Sequence, residues 1–265
     1  MCPYPEPTLP TRDTPMDFAT YPSLQGKAVF VTGGASGIGA DIVRAFAGQG
    51  SRVGFVDLDA ERGAALGRDL GSTVRFEPCD LRDVDALKRA FAALKASVGP
   101  AEVLVNNAAR DDRHAWDAVT PAYYDERIAT NLRHMFFAIQ AVAPDMIAAG
   151  RGSIINMGSN SWWEAGGGMP VYTTAKAAVH GMTRSFARDL GPHRIRVNTV
   201  VPGWVMTERQ RELWVTPEKL EAQLRRQCLP DPIEPAYLAR MVLFLASDDA
   251  AMCTANNYMV EAGSI

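Results

Sequence analysis

The glycine-rich segment at residues 32–39, TGGASGIG, is the feature that most constrains the fold of this chain. An apolar run of strand type at residues 27–32 leads into it, and apolar residues at helical spacing follow it over residues 39–49. A strand that turns through glycines directly into a helix is the first half of a βαβ unit. The segment therefore predicts that the chain begins an α/β fold.

The same alternation of strand-type and helix-type stretches continues along the chain. It predicts strands at residues 27–32, 52–57, 74–79, 103–106, 153–158, 194–200 and 257–261, and helices at 39–49, 59–70, 84–98, 121–147, 171–190 and 234–247. Alternation of this kind implies right-handed crossovers and a parallel sheet with helices on both faces. With 265 residues and 47% hydrophobic content, the chain is expected to form a single domain over residues 24–265.

Two segments lie outside the alternation. Residues 1–23 are rich in Pro and Thr and lack the basic start and apolar run of a signal peptide, so a flexible arm is expected, with subunit contacts as the alternative. Residues 204–233 hold several prolines around a charged helical piece. This second segment predicts a small lid insertion after the sixth strand.

Charge and cysteine usage exclude several classes of partner. A net charge of −3 gives no electrostatic reason to expect nucleic acid or an anionic membrane, and no segment approaches the roughly 20 apolar residues of a membrane helix. The four cysteines show neither a CxxC pair nor the spacing of metal ligands. We therefore expect reduced thiols, a cytoplasmic location and no metal site.

The glycine turn is predicted to hold a nucleotide. Glycines let the backbone approach a pyrophosphate, and the start of the following helix supplies free N–H groups. The spacing is GxxxGxG rather than GxGxxG, so an ordinary glycine-rich turn is the alternative. The residues expected at the phosphates are Gly33, Ser36, Gly37, Ile38 and Gly39.

Asp57 favours NAD over NADP as that nucleotide. It ends the second predicted strand, where a carboxylate accepts hydrogen bonds from the ribose hydroxyls and repels a 2′-phosphate. Positions 34, 35, 36 and 58 hold no Arg or Lys to offset the repulsion. A solvated Asp at a strand end is the alternative. Further cofactor contacts are expected after the third and fourth strands, from Asp80, Leu81 and Asn107.

Ser159, Tyr172 and Lys176 predict proton-transfer chemistry. Tyr172 and Lys176 lie four residues apart in a helical stretch and hence on one face, where the ammonium is expected to favour the phenolate. Ser159 follows the fifth strand and can hold a substrate oxygen. The side-chain amide of Asn131, in the preceding long helix, is expected to mark a water that relays protons to Lys176. Because a lone YxxxK arises by chance on amphipathic helices, the prediction depends on the combination.

In this combination and order, the motifs resemble the short-chain dehydrogenase/reductase family from about residue 24 to the C-terminus. The matching segments are TGGASGIG, VDLD, CDL, NNAA, YTTAK and VNTVVPGWVMT. The resemblance implies a doubly wound Rossmann fold with one seven-stranded sheet, and a homotetramer. It implies a catalytic tetrad of Asn131, Ser159, Tyr172 and Lys176. It also implies that the nicotinamide carboxamide is contacted by Pro202, Gly203, Val205 and Thr207.

A closer resemblance is to bacterial aldose dehydrogenases, in particular to NAD-dependent pentose dehydrogenases of the D-xylose type. It rests on DDRH at 111–114, NLRHMFF at 131–137 and LFLASDDAAMCT at 243–254. Those enzymes oxidise the anomeric carbon to a lactone. The chain departs from the family pattern at Ala109, at Ala255-Asn256 and at Glu261-Ala262, which puts the last strand and the subunit contacts in doubt rather than the chemistry.

The expected substrate is therefore an aldose, oxidised by NAD at C1 to the aldonolactone with Tyr172 as general base. The alternatives are oxidation of a secondary alcohol on a sugar acid, which a clamp by Arg110 would favour, and a non-catalytic nucleotide sensor. Arg113 and His114 serve the substrate or pair with the acidic residues at 111 and 112. Aromatic faces and polar groups suited to a sugar are expected from Arg110, Asn160, Trp163, Glu164, Trp204 and Arg209.

Overall fold

The computed structural model describes residues 19–264, so most of the arm predicted at residues 1–23 lies outside the described residues. Seven parallel strands form one sheet in the order β3-β2-β1-β4-β5-β6-β7, which confirms the predicted fold. The strands are β1 (Ala28–Thr32), β2 (Arg52–Asp57), β3 (Val74–Pro78), β4 (Val103–Asn106), β5 (Gly152–Met157), β6 (Ile195–Pro202) and β7 (Asn257–Val260).

Helices connect the strands on both faces of the sheet. They are α1 (Gly37–Gly48), α2 (Ala60–Leu70), α3 (Val84–Val98), α4 (Pro121–Ile128), α5 (His134–Ala149), α6 (Pro170–Leu190), α7 (Glu208–Leu213), α8 (Pro217–Arg226) and α9 (Pro235–Ala246). The direction of winding reverses between β1 and β4, which pair directly. A crevice opens at such a switch point, beyond the carboxyl ends of the strands.

The core consists of two apolar layers, one on each face. Val29 and Val31 of β1 face the layer that holds α1, α2 and α9, whereas Phe30 faces the layer that holds α3 and α5. This is the two-residue period of a strand buried on both sides, and it explains why the strands read as continuous apolar runs. No helix of residues 19–264 is long and apolar enough to cross a membrane.

A buried polar ladder crosses the sheet below the crevice. Asn106 Nδ2 donates to Asn156 Oδ1 over 2.9 Å, and Asn156 Nδ2 donates to Thr183 Oγ1 over 3.0 Å. The Thr183 hydroxyl lies 2.8 Å from that of Thr199, on β6. The ladder joins three neighbouring strands to α6, so it fixes this helix against the carboxyl ends of the sheet.

The long helix expected at residues 121–147 is interrupted. A π-helical turn, Ala129–Arg133, separates α4 from α5. Such a turn inserts one extra residue into the helical ladder and often occurs at functional sites. Asn131 lies at its centre and is fully buried.

The segment predicted as a lid forms two short helices, α7 and α8, between β6 and α9. Thr207 and Thr216 cap them with their side-chain oxygens, which accept from Gln210 N and Lys219 N respectively. Each short helix begins directly after its threonine, so the two caps fix where the chain turns into α7 and α8.

Candidate active site

A cavity of about 920 Å³ opens at the carboxyl edge of the sheet. It extends from the glycine turn across β1 and β4 to the start of α6 and to α7. Nearly every residue that the sequence singles out for cofactor, catalysis or substrate contributes to its wall. The predicted residues that line it are Gly33, Ser36, Gly37, Ile38, Gly39, Asp57, Asp80, Leu81, Asn107, Arg110, Ser159, Asn160, Glu164, Tyr172, Lys176, Pro202, Gly203, Trp204, Val205, Thr207 and Arg209.

The glycine turn has the geometry of a phosphate cradle. Gly33 and Gly37 have positive φ values of 68° and 52°, which side chains rarely tolerate. A Cβ on Gly39 would stand 1.8 Å from Gly33 O, so the start of α1 packs directly on the turn. Ser36 precedes α1 without capping it through its side chain, which leaves the first N–H groups of the helix for a ligand.

Asp57 lies beside this turn and helps to hold it. Its Oδ2 accepts from Ala35 N over 2.9 Å and its Oδ1 accepts from Asp59 N over 3.0 Å. Each carboxylate oxygen keeps a second lone pair for a ribose hydroxyl. Arg62, which the sequence reasoning missed, lines the same end of the cavity, and its Nη1 donates to Glu208 Oε2 over 2.9 Å.

The end of the cavity at Asp80 contains a network of ion pairs. Asp80 accepts from the guanidinium of Arg82 with both oxygens, and this pairing lowers the pKa of Asp80. Arg82 also donates to Glu126. Asn107 Nδ2 donates to the carbonyls of Thr32 and Gly33, so its side chain braces the glycine turn.

Lys176 and Tyr172 lie deep in the wall of the cavity. Lys176 is 1% exposed, and its Nζ donates to the carbonyl oxygen of Met157, at the end of β5, over 2.7 Å. Burial lowers the pKa of Lys176 to about 7, and the carboxylate of Asp111 acts in the opposite direction. The Lys176 Nζ atom lies 5.8 Å from the centre of the Tyr172 ring.

The pKa of Tyr172 differs from the sequence-based expectation. Burial raises it to about 12, and Asp111 adds to the increase, whereas the Ser159 hydroxyl and Arg113 lower it. The lowering expected from a neighbouring ammonium is not found, because the phenol is shielded from water and burial favours its neutral form. In the free protein, Tyr172 is held as the neutral phenol.

Ser159 stands at the carboxyl end of β5, as expected. Its Oγ accepts from Ser161 N over 3.1 Å, which orients the hydroxyl at the cavity wall. Asn160 follows it, and its side-chain amide donates to Glu164. Ser159, Asn160 and Ser161 therefore contribute three consecutive polar residues to the cavity wall.

The side chain of Asn131 is bonded to the protein backbone, and the relay water expected beside it stays a prediction. Its Oδ1 accepts from Arg110 N over 2.7 Å, and its Nδ2 donates to Arg110 O over 3.1 Å. Both ends of the amide are bonded to one backbone unit in the loop after β4, so the side chain positions that loop. Asn131 itself does not line the cavity.

Trp163 also departs from its expected place. Its side chain is 67% exposed and meets Trp162 edge to face, outside the cavity wall. Trp162 packs in turn on His180, so neither ring of the adjacent pair lines the cavity. Trp204 lines the cavity instead, and its Nε1 donates to Gln210 Oε1 over 2.9 Å.

The loop after β4 holds an acidic pair that sequence reasoning considered only as a partner for Arg113 and His114. Asp112 accepts from Arg209 over 2.6 Å and also pairs with Arg127 and with Arg110. Asp111 lines the cavity. His114 contacts Asp112 through the backbone carbonyl, 3.1 Å from Nδ1.

Comparison with known proteins shows the family of the chain. A family model described as "Enoyl-(Acyl carrier protein) reductase" matches residues 33–264. D-xylose 1-dehydrogenase of Caulobacter vibrioides is 50% identical over 251 residues, which cover 94% of this chain and 99% of that protein. The chain belongs to the short-chain dehydrogenase/reductase family. A second relative, "Probable galactose dehydrogenase GalD" of Rhizobium meliloti, is 47% identical over 247 residues, which cover 92% and 96%.

Solved structures of short-chain dehydrogenases superpose closely on the chain. A 3-oxoacyl-[acyl-carrier protein] reductase from Brucella melitensis matches with a TM-score of 0.85 at 30% identity, covering 92% of this chain and 93% of that one. A blue fluorescent protein from a metagenomic library, solved in complex with NADPH, matches with a TM-score of 0.82 at 34% identity, covering 91% and 98%.

The family uses nicotinamide dinucleotides, and the residues of this cavity fit such a cofactor. The positive-φ glycines and the uncapped start of α1 suit its pyrophosphate, and Asp57 suits a ribose. Pro202, Gly203, Val205 and Thr207 form the opposite wall, and Thr207 Cγ2 comes within 3.2 Å of where a Cβ on Gly37 would stand. The segment that follows β6 therefore packs against the glycine turn.

Proposed function

We propose that this chain is an NAD-dependent sugar dehydrogenase that oxidises an aldose at C1 to the aldonolactone. The observation that carries the proposal is that Ser159, Tyr172 and Lys176 line one cavity together with a polar rim suited to hydroxyl groups. Two relatives that match almost the whole chain, at 50% and 47% identity, are named for D-xylose and galactose. Their names support a sugar over other alcohols.

Tyr172 is the proposed general base. When bound, the oxidised nicotinamide supplies a hydride acceptor and a positive charge. A positive charge in the cavity favours the phenolate and lowers the pKa of Tyr172 from its value of about 12 in the free protein. The phenolate oxygen then takes the proton of the substrate hydroxyl, and Ser159 Oγ holds the same substrate oxygen as its charge changes.

Lys176 and Asn131 support that base, the first by proton transfer and the second by positioning a loop. With a pKa of about 7, Lys176 exchanges a proton near neutral pH, which suits a group that passes on the proton taken by Tyr172. Its bond to Met157 O fixes the ammonium at the end of β5. Asn131 holds the backbone of Arg110 and so positions the loop that forms the substrate end of the cavity.

The activity is tested by a spectrophotometric screen for reduction of NAD over neutral aldoses and sugar acids. Tyr172→Phe keeps the ring and removes the acid–base group, and we expect at least a roughly 100-fold loss of kcat. NAD binding without turnover of any alcohol would contradict the proposal and favour the nucleotide sensor.

The proposed choice of NAD depends on Asp57. Asp57→Ala should raise kcat/KM for NADP relative to NAD, since it removes the carboxylate that repels the 2′-phosphate. Arg62→Ala is the matched control at the same end of the cavity, because Arg62 is already paired with Glu208. If Asp57→Ala leaves the cofactor preference unchanged, Asp57 does not select the cofactor.

Oxidation of a sugar acid is the second candidate, and the exposed guanidinium of Arg110 at the cavity wall favours it. The Arg110 guanidinium also forms an ion pair with Asp112, whose Oδ2 lies 3.3 Å from Arg110 Nε. If a carboxylate is the natural ligand, Arg110→Ala should raise KM for sugar acids and leave KM for neutral aldoses unchanged. An equal effect on both substrate classes would remove this candidate.

The homotetramer and the cytoplasmic location stay predictions. Light scattering on the eluting protein measures the mass of the assembly, and a mass of four chains is expected. Cys79, Cys228 and Cys253 are free thiols, which is compatible with a reducing compartment.

A further inference from the structure

Asp111 is a carboxylate at the substrate end of the cavity to which the mechanism above gives no role. It belongs to the loop after β4, one residue beyond the backbone unit that Asn131 holds. Its side chain is 21% exposed and contributes to the same wall as Tyr172 and Lys176. A partly buried carboxylate in such a place forms a fixed hydrogen-bond acceptor.

A hydrogen-bonded chain from the lid fixes the orientation of this carboxylate. Trp204 Nε1 donates to Gln210 Oε1 over 2.9 Å, and Gln210 Nε2 donates to Asp111 Oδ2 over 2.8 Å. The other oxygen, Oδ1, lies 4.0 Å from Arg209 Nε, beyond hydrogen-bond distance. Asp111 Oδ2 is therefore held by the protein, and Oδ1 keeps acceptor capacity for a ligand.

The hydrogen bonds and short ion pairs of the neighbouring arginines go to Asp112, and Arg209 reaches Asp111 only at 4.0 Å. Arg209 Nη2 donates to Asp112 over 2.6 Å, and Arg110 Nε lies 3.3 Å from the same carboxylate. Asp112 also pairs with the buried Arg127. Asp112 thus takes up much of the positive charge next to Asp111, so the charge of Asp111 acts on the interior of the cavity.

The electrostatic effect of Asp111 reaches the proposed base. Its negative charge raises the pKa of both Tyr172 and Lys176, while Arg113 and the Ser159 hydroxyl act on Tyr172 in the opposite direction. Glu164 adds a second carboxyl group to the cavity wall. Glu164 is paired with Asn160 and Arg226, so Asp111 is the carboxylate whose charge acts on a ligand at Tyr172.

We propose that Asp111 determines substrate specificity: its carboxylate accepts a hydrogen bond from a hydroxyl of a neutral sugar and rejects sugars that carry a carboxylate. The inference rests on the proposed sugar dehydrogenase activity and chooses between its two substrate classes. A buried acceptor discriminates strongly, because a hydroxyl satisfies it whereas an anion leaves two like charges together. Hydrogen bonds to charged groups suggest an effect of about 10- to 100-fold in kcat/KM.

The test compares a neutral aldohexose with the hexuronate of the same stereochemistry, which differ at one carbon and by one charge. Asp111→Asn keeps the shape and removes the charge. We expect kcat/KM for the aldohexose to fall about 10-fold or more, and its ratio to the value for the hexuronate to fall at least as far. Asp117→Asn, an exposed carboxylate six residues further on, should leave both values as in the unchanged protein.

A pH profile separates a charge effect from a structural one. Because the negative charge of Asp111 raises the pKa of Tyr172, its removal should move the acid limb of kcat/KM to lower pH. Gln210→Leu tests position instead of charge. It releases the carboxylate from its donor, so KM for the aldohexose should rise while the hexuronate is still rejected.

The outcomes are distinguishable. If the unchanged protein oxidises aldoses but Asp111→Asn alters neither the ratio nor the pH profile, the inference is overturned and the proposed function stands. If the unchanged protein reduces NAD with hexuronates better than with aldohexoses, Asp111 does not reject anions and the inference again fails. If no sugar of either class is oxidised, the proposed function and the inference fail together. Thermal unfolding of each variant, compared with that of the unchanged protein, identifies any variant that is misfolded.

Discussion

Replacing Lys176 by Met should stabilise the protein while it abolishes the proposed chemistry. The Lys176 ammonium is almost completely buried, and burial lowers its pKa from 10.5 to about 7. The difference corresponds to about 5 kcal/mol of unfavourable free energy for the charged form in the folded state. Methionine fills a similar volume without a charge. It leaves Met157 O without its donor, which costs about 1–3 kcal/mol. Below pH 7 the variant should therefore have a free energy of unfolding about 2–4 kcal/mol higher than that of the unchanged protein.

The sign of the pH dependence follows from the two pKa values. The unfolded chain keeps the Lys176 proton up to about pH 10.5, whereas the folded chain releases it above about pH 7. The unchanged protein therefore gains stability as pH rises through this window, and Lys176→Met does not. The advantage of the variant should shrink by about 1.4 kcal/mol per pH unit above pH 7. Met157 O does not titrate, so the slope reports the ammonium alone.

The measurement is urea unfolding of both proteins without cofactor, followed by circular dichroism at one protein concentration and several pH values. Lys88→Met, on the exposed face of α3, removes an equal charge and should show no such slope relative to the unchanged protein. A Lys176→Met variant that is less stable at pH 6, or whose difference from the unchanged protein is constant with pH, would refute the argument that burial controls Lys176.

Two further predictions concern the glycine turn and the core. Gly39→Ala should abolish measurable NAD binding and lower the melting temperature, because its Cβ would stand 1.8 Å from Gly33 O and 2.6 Å from Asn107 Nδ2. Gly48→Ala is the control in the same helix. Because a Cβ on Gly48 would have nothing within 4 Å, this variant should be neutral or stabilising. Burial lowers the pKa of His134 to about 3, whereas an unfolded His titrates near 6.5, so the protein should lose stability as pH falls through this range. In acid unfolding curves, His134→Leu should lose less stability than the unchanged protein as pH falls. If the two proteins lose the same stability, other groups cause the acid sensitivity.

Much of the fold could be predicted because its strands and helices carry strong local patterns. The ranges expected for β2, α3 and β4 agree with the structure, since apolar runs and amphipathic spacing bounded by Gly or Asp leave little freedom there. The position of the site followed from topology, because the carboxyl ends of parallel strands share one edge. Three of the four tetrad residues accordingly line one cavity.

The remaining features depend on tertiary contacts that leave no local signal. The π turn around Asn131 changes the helical period over a single turn, too short a stretch for a pattern to reveal. Gln210 and Asp111 are 99 residues apart, and only folding brings α7 beside the loop after β4. The choice between Trp162, Trp163 and Trp204 is made by packing, since all three follow a motif strand.

Because of the π turn, the shape of the cavity depends on the number of residues between α4 and α5. Deleting one residue from Ala129–Arg133 would restore regular α-helical winding and shift the residues of this turn by one place relative to α4 and α5. Asn131 would then turn away from Arg110, and the loop that carries Asp111 would lose its anchor, while the apolar contacts of α5 stayed in place. Within this architecture, evolution can therefore reshape the loop after β4 by gaining or losing a single codon in a helix, without replacing any residue that lines the cavity.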